Sequence, residues 1–192
     1  TTVAVVKELA GRVAVVTGAG SGIGRALSVA LAARRVNLAL VDRDAHAIEQ
    51  TAALVAAAKV NTSQHALDVR DTDAIEALPG AVLDTHGACH IVVNNAGVTS
   101  AGAFAEESVQ DLAWIIDINV WGVVHGCRVF LPVLREADEA HIVNMSSMVG
   151  LLGLPHNAAY SLTKGAVRAF GEALRAELAS AQIGVTTVFP GA

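Results

Sequence analysis

The chain has 192 residues, of which 53% are hydrophobic and 16% are charged, enough apolar side chains to bury one substantial core. Its 13 basic and 18 acidic residues give a formal net charge of −5, which disfavours nucleic acid as a partner, because such binding requires many neutralised phosphates. We therefore expect a single domain over residues 1–192 that does not bind nucleic acid.

Apolar runs alternate with helical stretches along the chain. Strands are predicted over residues 13–17, 37–41, 64–69, 90–94, 141–145 and 184–189. Helices are predicted over residues 23–35, 44–58, 72–86, 108–134 and 158–181. This alternation is typical of a parallel sheet covered on both faces. The predicted fold class is α/β, a doubly wound parallel sheet in three layers.

Neither export nor membrane insertion is indicated by the sequence. The segment TTVAVVKELAGR at residues 1–12 is too poor in apolar residues for a signal peptide, and the longest stretch without Asp, Glu, Lys or Arg, residues 140–163, contains many polar residues. Cys89 and Cys127 do not make a disulfide framework in a chain of this length. We expect a cytoplasmic protein with no membrane partner and no metal site.

A glycine-rich segment, TGAGSGIG at residues 17–24, joins the first strand to the first helix. Gly18, Gly22 and Gly24 permit a tight turn and a close approach of backbone amides to a pyrophosphate, which the positive end of the helix also attracts. An ordinary turn that needs positive φ angles is the alternative.

Asp42 ends the second strand 18 residues after Gly24, about where dinucleotide-binding folds place the acid that binds ribose. A carboxylate there accepts hydrogen bonds from a free 2′-hydroxyl and repels the 2′-phosphate of NADP. Arg43 follows and can neutralise that phosphate, so we expect NAD to be preferred and NADP to be possible. A solvated turn is the alternative for both residues.

Tyr160 and Lys164 are four residues apart at the start of a predicted helix, which places them on one face. An ordinary phenol ionises near pH 10, and an ammonium at about 4 Å supplies roughly 4 kcal/mol towards a phenolate at an effective dielectric near 20. A Tyr and a Lys at this spacing can also simply lie on a helix surface. Tyr160 is the only tyrosine of the chain.

Ser147 lies just beyond the strand at residues 141–145, at the carboxyl edge where open α/β sheets bind ligands. The first and fifth strands therefore bring a cofactor and a hydroxyl group to the same edge. The neighbouring Ser146 is an alternative for this role, and either serine can instead cap the local backbone.

The ordered set of motifs resembles the short-chain dehydrogenase/reductase family. The motifs of this set are TGAGSGIG, Asp68–Val69, NNAG at residues 94–97, Asn119, Ser147, YSLTK at residues 160–164 and Pro190–Gly191. The spacing GxxxGxG is that of the compact members of the family. The resemblance implies a Rossmann-like, dinucleotide-binding catalytic domain.

Four catalytic residues are implied by the resemblance. Tyr160 would be the general acid/base, and Ser147 would orient and polarise the substrate oxygen. Lys164 would hold the nicotinamide ribose and support ionisation of the tyrosine, while Asn119 would support a water molecule that relays protons.

A cofactor-binding set is also implied by the resemblance. Its members are Gly18, Ser21, Gly22, Ile23, Gly24, Asp42, Arg43, Asp68, Val69, Asn95, Ala96, Gly97, Tyr160, Lys164, Pro190 and Gly191. Ser21 stands where many NADP-preferring members carry a basic residue, which favours NAD.

The expected function is an oxidoreductase that transfers a hydride between NAD(P) and the hydroxyl or carbonyl carbon of a small apolar alcohol or ketone. Met148, Leu151, Leu152 and Leu154 suggest an apolar cleft wall, although they can also belong to the core. His156 is close enough to touch a substrate, but a loop position is the more common case. The alternative function is a catalytically weak or inactive scaffold or sensor that binds NAD.

Two expectations concern the rest of the molecule. Members of the family continue past the PGA at residues 190–192 through a mobile lid and a seventh strand, so we expect this chain to lack both and to turn over poorly. The helix at residues 108–131 is apolar on more than one face, with Trp114, Ile115, Val120, Trp121, Val124 and Phe130 to cover. We expect a homodimer or homotetramer in which this helix and the one after Tyr160 pack against a second copy.

Overall fold

The structure is a computed structural model that describes residues 6–191, in which six strands alternate with helices. The strands are β1 Val13–Thr17, β2 Asn37–Asp42, β3 Thr62–Ala66, β4 Ile91–Asn94, β5 Ala140–Met145 and β6 Ile183–Val188. The α-helices are α1 Gly22–Ala33, α2 Ala45–Val55, α3 Thr72–His86, α4 Val109–Ile116, α5 Gly122–Glu136 and α6 Ala158–Leu178.

The six strands form one parallel sheet in the order β3-β2-β1-β4-β5-β6. The direction of progression along the sheet reverses between β1 and β4, so the loops that leave these two strands diverge. Such a reversal opens a crevice at the carboxyl edge of the sheet, where α/β proteins bind ligands. The predicted doubly wound, Rossmann-like sheet is confirmed.

Both faces of the sheet are covered by helices. Along β1, Val13 and Val15 pack in the cluster that includes residues of α3, α5 and α6, whereas Ala14 and Val16 pack in the cluster that includes residues of α1 and α2. Successive side chains of a strand point to opposite faces, so a strand buried on both faces is apolar throughout. The three predicted layers are therefore present.

Two elements differ from the prediction. The third strand runs over Thr62–Ala66 rather than over residues 64–69, because it pairs along β2 from Leu38, the partner of Thr62, to Asp42, the partner of Ala66. The helix predicted over residues 108–134 is divided, since α4 and α5 are joined by a π-helical turn, Asp117–Trp121. Asn119 lies in that turn.

Within the described part of the chain, the continuous helical stretch Val109–Glu136 is long and apolar enough to span a membrane, judged by length and composition alone. In its most apolar window 44% of the residues are buried inside the fold. Among the buried residues, Ile118, Phe130 and Leu134 pack in the core cluster that also includes residues of α3 and α6. Packing in the core accounts for part of the apolar composition of this helical stretch.

Candidate active site

The carboxyl ends of β1, β4 and β5 open into a cleft of about 770 Å³. Of the predicted site residues, most line it: Gly18, Ser21, Gly22, Ile23, Asp42, Arg43, Asp68, Val69, Asn95, Ala96, Gly97, Ser147, Tyr160, Lys164, Pro190 and Gly191. Gly24 and Asn119 are not among the lining residues. The sheet thus brings residues from widely separated parts of the chain to one site.

The glycine-rich turn needs glycine for two different reasons. Gly18 has φ = 67° and Gly22 has φ = 49°, in the left-handed region that residues with a Cβ rarely adopt. Gly24 lies in α1 beneath the turn, where a Cβ would collide with the carbonyl oxygen of Gly18. The turn can therefore keep this close packing only without side chains at these positions.

Two carboxylates flank the cleft at the ends of neighbouring strands. Asp42 accepts hydrogen bonds from the N–H of Gly20 at 2.9 Å and from the N–H of Asp44 at 3.2 Å. Asp68 forms an ion pair with Arg70, whose guanidinium donates to both carboxylate oxygens, and this contact lowers the pKa of Asp68. Arg70, the partner of Asp68, is not among the predicted site residues.

A threonine at the end of β1 fastens the glycine turn to the segment after β4. Oγ1 of Thr17 accepts from the N–H groups of Asn95 and Ala96, each at 3.0 Å. Nδ2 of Asn95 donates to the carbonyl oxygen of Thr17 at 2.9 Å. These contacts hold the ends of β1 and β4 together on the floor of the cleft. Asn95 therefore has a structural role, since it joins these two segments.

Lys164 is a buried cation beside Tyr160. Its side chain is close to fully buried, its Nζ donates to the carbonyl oxygen of Met145 at 2.9 Å, and it lies 5.7 Å from the centre of the Tyr160 ring. Burial lowers the pKa of Lys164 to about 8. Among residues 6–191 no carboxylate forms a salt bridge with it, so its charge is free to act on groups in the cleft.

Asn119 is fully buried, and its amide is used within the protein. Oδ1 accepts from the N–H of Val98, and Nδ2 donates to the carbonyl oxygen of Val98, both at 2.8 Å. Nδ2 also donates to Oγ1 of Thr163 at 3.1 Å. In this arrangement the Asn119 side chain holds the segment that follows Gly97 against α6, next to Lys164.

The two neighbouring serines have different surroundings. Oγ of Ser146 is buried and donates to the carbonyl oxygen of Lys164 at 2.8 Å. Ser147 is only half-buried, and its Oγ accepts a long hydrogen bond, 3.4 Å, from the N–H of Val149. Both residues line the cleft, but only Ser147 has a hydroxyl that is free to donate to a substrate.

Several apolar residues complete the cleft. Met148 and Leu154 line it, as the expected apolar wall requires, whereas Leu151 and Leu152 are exposed outside it and do not belong to the core. His156 is exposed and is not a lining residue. Sequence reasoning missed Leu67, Val98, Thr99, Ile118, Met145 and Val149. The signal that could have found most of them is position, because they flank the motifs at the strand ends.

Comparison with known proteins identifies the family. The sequence profile of the short chain dehydrogenase family matches residues 12–192. The Mycobacterium tuberculosis protein named as oxidoreductase SadH is 43% identical over 183 residues, and the match covers 94% of this chain. It covers 66% of SadH, so the chain spans just under two thirds of that relative's length.

Solved structures agree with this assignment. A short chain dehydrogenase/reductase from Burkholderia phymatum in complex with NAD superposes with a TM-score of 0.92 at 39% identity, covering 97% of this chain and 67% of that one. A metagenomic short-chain oxidoreductase in complex with NADP superposes with a TM-score of 0.91 at 33% identity, covering 97% of this chain and 85% of that one. The chain belongs to the short-chain dehydrogenase/reductase family.

Proposed function

We propose that residues 1–192 form a single dinucleotide-binding catalytic domain of an oxidoreductase that exchanges a hydride between NAD(P) and the hydroxyl or carbonyl carbon of a small apolar alcohol or ketone. The observation that carries this proposal is that Ser147, Tyr160 and Lys164 line the same cleft as the glycine turn and Asp42. A cofactor and a proton-transferring group can therefore meet at one place.

The residues of the cleft fit a dinucleotide. The volume of the cleft, about 770 Å³, is in the usual range for ligand sites. The turn at Gly18–Gly22 would present mainly backbone groups to a pyrophosphate at the start of α1. Asp42 would accept the adenine ribose, while Pro190 and Gly191 would border the nicotinamide. When bound, the nicotinamide supplies or accepts the hydride.

The side chains of this chain would handle the proton and orient the substrate. Tyr160 would pass a proton between its hydroxyl group and the substrate oxygen, and Ser147 would donate a hydrogen bond to that oxygen. The ammonium of Lys164, 5.7 Å from the centre of the Tyr160 ring, would stabilise the phenolate, because a nearby opposite charge favours the ionised form. Asn119 would keep the floor of the site in place.

We further propose that NAD is preferred. The half-buried Asp42 carboxylate would repel a 2′-phosphate, and Ser21 brings no positive charge to the turn. Arg43 is exposed and lines the cleft, so it can approach a 2′-phosphate and make NADP usable. The relatives with bound NAD and with bound NADP share this fold, so the preference depends on these side chains.

The proposed compartment is the cytoplasm. Cys89 and Cys127 are both buried free thiols, and burial raises the pKa of each to about 12. Thiols of this kind remain reduced and unreactive, which suits a reducing environment.

The experiment that tests the function is steady-state reduction of NAD and of NADP with a panel of secondary alcohols, for the wild type and the Tyr160→Phe variant. We expect turnover with NAD, and a loss of at least about 100-fold in kcat for the variant, because proton transfer is removed. Cofactor affinity should fall by no more than about tenfold, since one hydrogen bond contributes about 0.5–1.5 kcal/mol. Cofactor binding without turnover in the wild type would support the NAD-binding scaffold instead.

A further inference from the structure

Three side chains hold the backbone groups of Ala19 and Gly20 in the glycine-rich turn, and two of them have no role in the proposed reaction. Arg25, in the first turn of α1, donates from Nη2 to the carbonyl oxygen of Gly20 and from Nε to Oγ1 of Thr51 at 3.1 Å. Thr51 is a fully buried residue of α2, and its hydroxyl group donates to the carbonyl oxygen of Ala19 at 2.8 Å. From the other side, Asp42 accepts from the N–H of Gly20 at 2.9 Å.

These contacts determine which way the peptide groups of the turn face. In a trans peptide the carbonyl group and the next N–H point in opposite directions. The contacts agree with this rule, because Thr51 holds the carbonyl of Ala19 while the following N–H, that of Gly20, points to Asp42. By the same geometry, the bond from Arg25 to the carbonyl of Gly20 turns the N–H of Ser21 away from the guanidinium.

The amide of Ser21 matters because Ser21 lines the cleft at the start of α1. The first N–H groups of a helix have no partner inside the helix, and they bind anions such as phosphate. A glycine-rich segment is intrinsically free to adopt many conformations, so unrestrained amides would have to be ordered again at each binding event. Side chains that fix the turn remove that cost.

The guanidinium of Arg25 is itself held rigidly. Besides Gly20 and Thr51, it donates from Nη2 to Oε1 of Gln50 at 3.0 Å and to the carbonyl oxygen of Ala47 at 3.4 Å. All its partners belong to the turn or to α2, and neither Arg25 nor Thr51 lines the cleft. The pair therefore connects α1, α2 and the turn from behind.

We infer that Arg25 and Thr51 are positioning residues for the pyrophosphate-binding turn: they hold its amides in the orientation that binds phosphate, without contacting the cofactor themselves. This inference rests on the proposed function, because it takes the cleft to be a dinucleotide site. It goes beyond that function by assigning part of the phosphate affinity to two side chains behind the turn.

The experiment compares the binding of ADP and of adenosine by titration calorimetry for the wild type and for Arg25→Met, Arg25→Lys and Thr51→Val. ADP contacts the turn through its phosphates, whereas adenosine reports on the rest of the site and on correct folding. Arg34→Met is the matched control, because Arg34 is an exposed arginine just after the other end of α1 and its loss changes the net charge equally.

For Arg25→Met we expect ADP affinity to fall by about tenfold, since hydrogen bonds from a charged group that fix the turn are lost, with adenosine affinity within about twofold. Thr51→Val should weaken ADP in the same selective way although it removes no charge. Arg25→Lys should recover only part of the lost ADP affinity, because a single ammonium cannot replace the several N–H donors of the guanidinium. Arg34→Met should bind ADP as the wild type does. In turnover, the KM for NAD should rise while kcat stays near its wild-type value.

ADP affinity in Arg25→Met equal to that of the wild type would overturn the inference. So would full recovery in Arg25→Lys combined with an unaffected Thr51→Val, because the effect would then be one of charge alone. If Arg25→Met does not fold, Thr51→Val tests the inference instead: a selective loss of ADP affinity supports it, and unchanged ADP affinity overturns it. Wild-type ADP binding without turnover contradicts the proposed function and not this inference, whereas no ADP binding by the wild type contradicts both.

Discussion

Lys164 is a charged residue that is buried beside the proposed active site, and burial of its ammonium destabilises the folded protein. Lys164 is 4% exposed, and its ammonium has a carbonyl partner, that of Met145, but no carboxylate partner among the described residues. Burial lowers its pKa from 10.5 to about 8. In the proposed reaction, the bound cofactor and the phenolate of Tyr160 would interact with the positive charge of Lys164.

The lowered pKa of Lys164 predicts a rise in stability at alkaline pH. Between pH 8 and pH 10.5 the unfolded chain binds the proton of this lysine more tightly than the folded one. The free energy of unfolding should therefore increase with pH across this window, by about 3 kcal/mol from this group alone. Lys164→Met should remove this contribution.

Urea denaturation of the wild type and of Lys164→Met at about pH 7.5 and about pH 10 measures this effect. The other titrating groups are common to both proteins, so the difference between the two pH dependences reports on Lys164. A wild-type increase no larger than that of the variant would contradict the burial of a charged lysine.

The two serines after β5 predict opposite results for the same substitution. Ser147→Ala should lower kcat/KM by about 100-fold with little change in Tm, since its hydroxyl is free to act on a substrate. Ser146→Ala should instead cost about 1 kcal/mol of stability, because the carbonyl of Lys164 loses its buried donor. Steady-state kinetics and thermal unfolding of both variants check this. A larger loss of kcat/KM in Ser146→Ala at unchanged Tm would reverse the assignment.

At the scale of the element, a helical glycine can be essential or dispensable according to its neighbours. A Cβ on Gly24 in α1 would collide with the carbonyl oxygen of Gly18 and approach Nδ2 of Asn95 to 2.5 Å. A Cβ on Gly80 in α3 would meet nothing within 4 Å. Both glycines are placed in helices, where alanine is intrinsically preferred.

Gly24→Ala should therefore destabilise the protein by about 1–3 kcal/mol and weaken cofactor binding, because the turn has to move. Gly80→Ala is the matched control and should stabilise the protein by about 0.5–1 kcal/mol. Chemical denaturation of both variants measures the difference. A stabilised Gly24→Ala protein would show that the turn is more adaptable than its close packing suggests.

At the scale of the whole molecule, apolar side chains remain exposed on α4, on α6 and on the π-helical turn between α4 and α5. Val109 is 76%, Trp121 50% and Leu162 59% exposed, whereas other apolar residues of this helical region, among them Ile115 and Phe130, are buried inside the fold. Exposed apolar residues on neighbouring helices favour association with a second copy. We therefore propose a homodimer or homotetramer that uses this exposed surface.

Light scattering after size-exclusion chromatography at micromolar concentration should give a mass of two or four chains. Trp121→Glu should reduce that mass, because a charge in an apolar interface is costly to bury. Leu54→Glu, on the exposed side of α2, is the control and should leave the mass unchanged, as α2 covers the other face of the sheet. A wild-type mass of one chain would contradict the proposed association.

Much of the fold was predictable because it depends on local patterns. The apolar strands and the helices between them predict a parallel sheet, since strands buried on both faces need apolar residues throughout. The motifs at the ends of these strands predict one common site, because parallel strands bring their carboxyl ends to the same edge. The cleft lined by the glycine turn, Ser147 and Tyr160 agrees with that expectation.

Other features were decided only by the tertiary structure, because they depend on partners distant in sequence. The third strand ends where β2 ends, and the π-helical turn presents Asn119 to the backbone of Val98. The separate surroundings of Ser146 and Ser147 depend on the carbonyl of Lys164, which only the packed helix α6 brings near. The sequence by itself thus determined the order of the elements and the residues at the sheet edge. Long-range packing decided which of their polar groups are already satisfied and which are free to act.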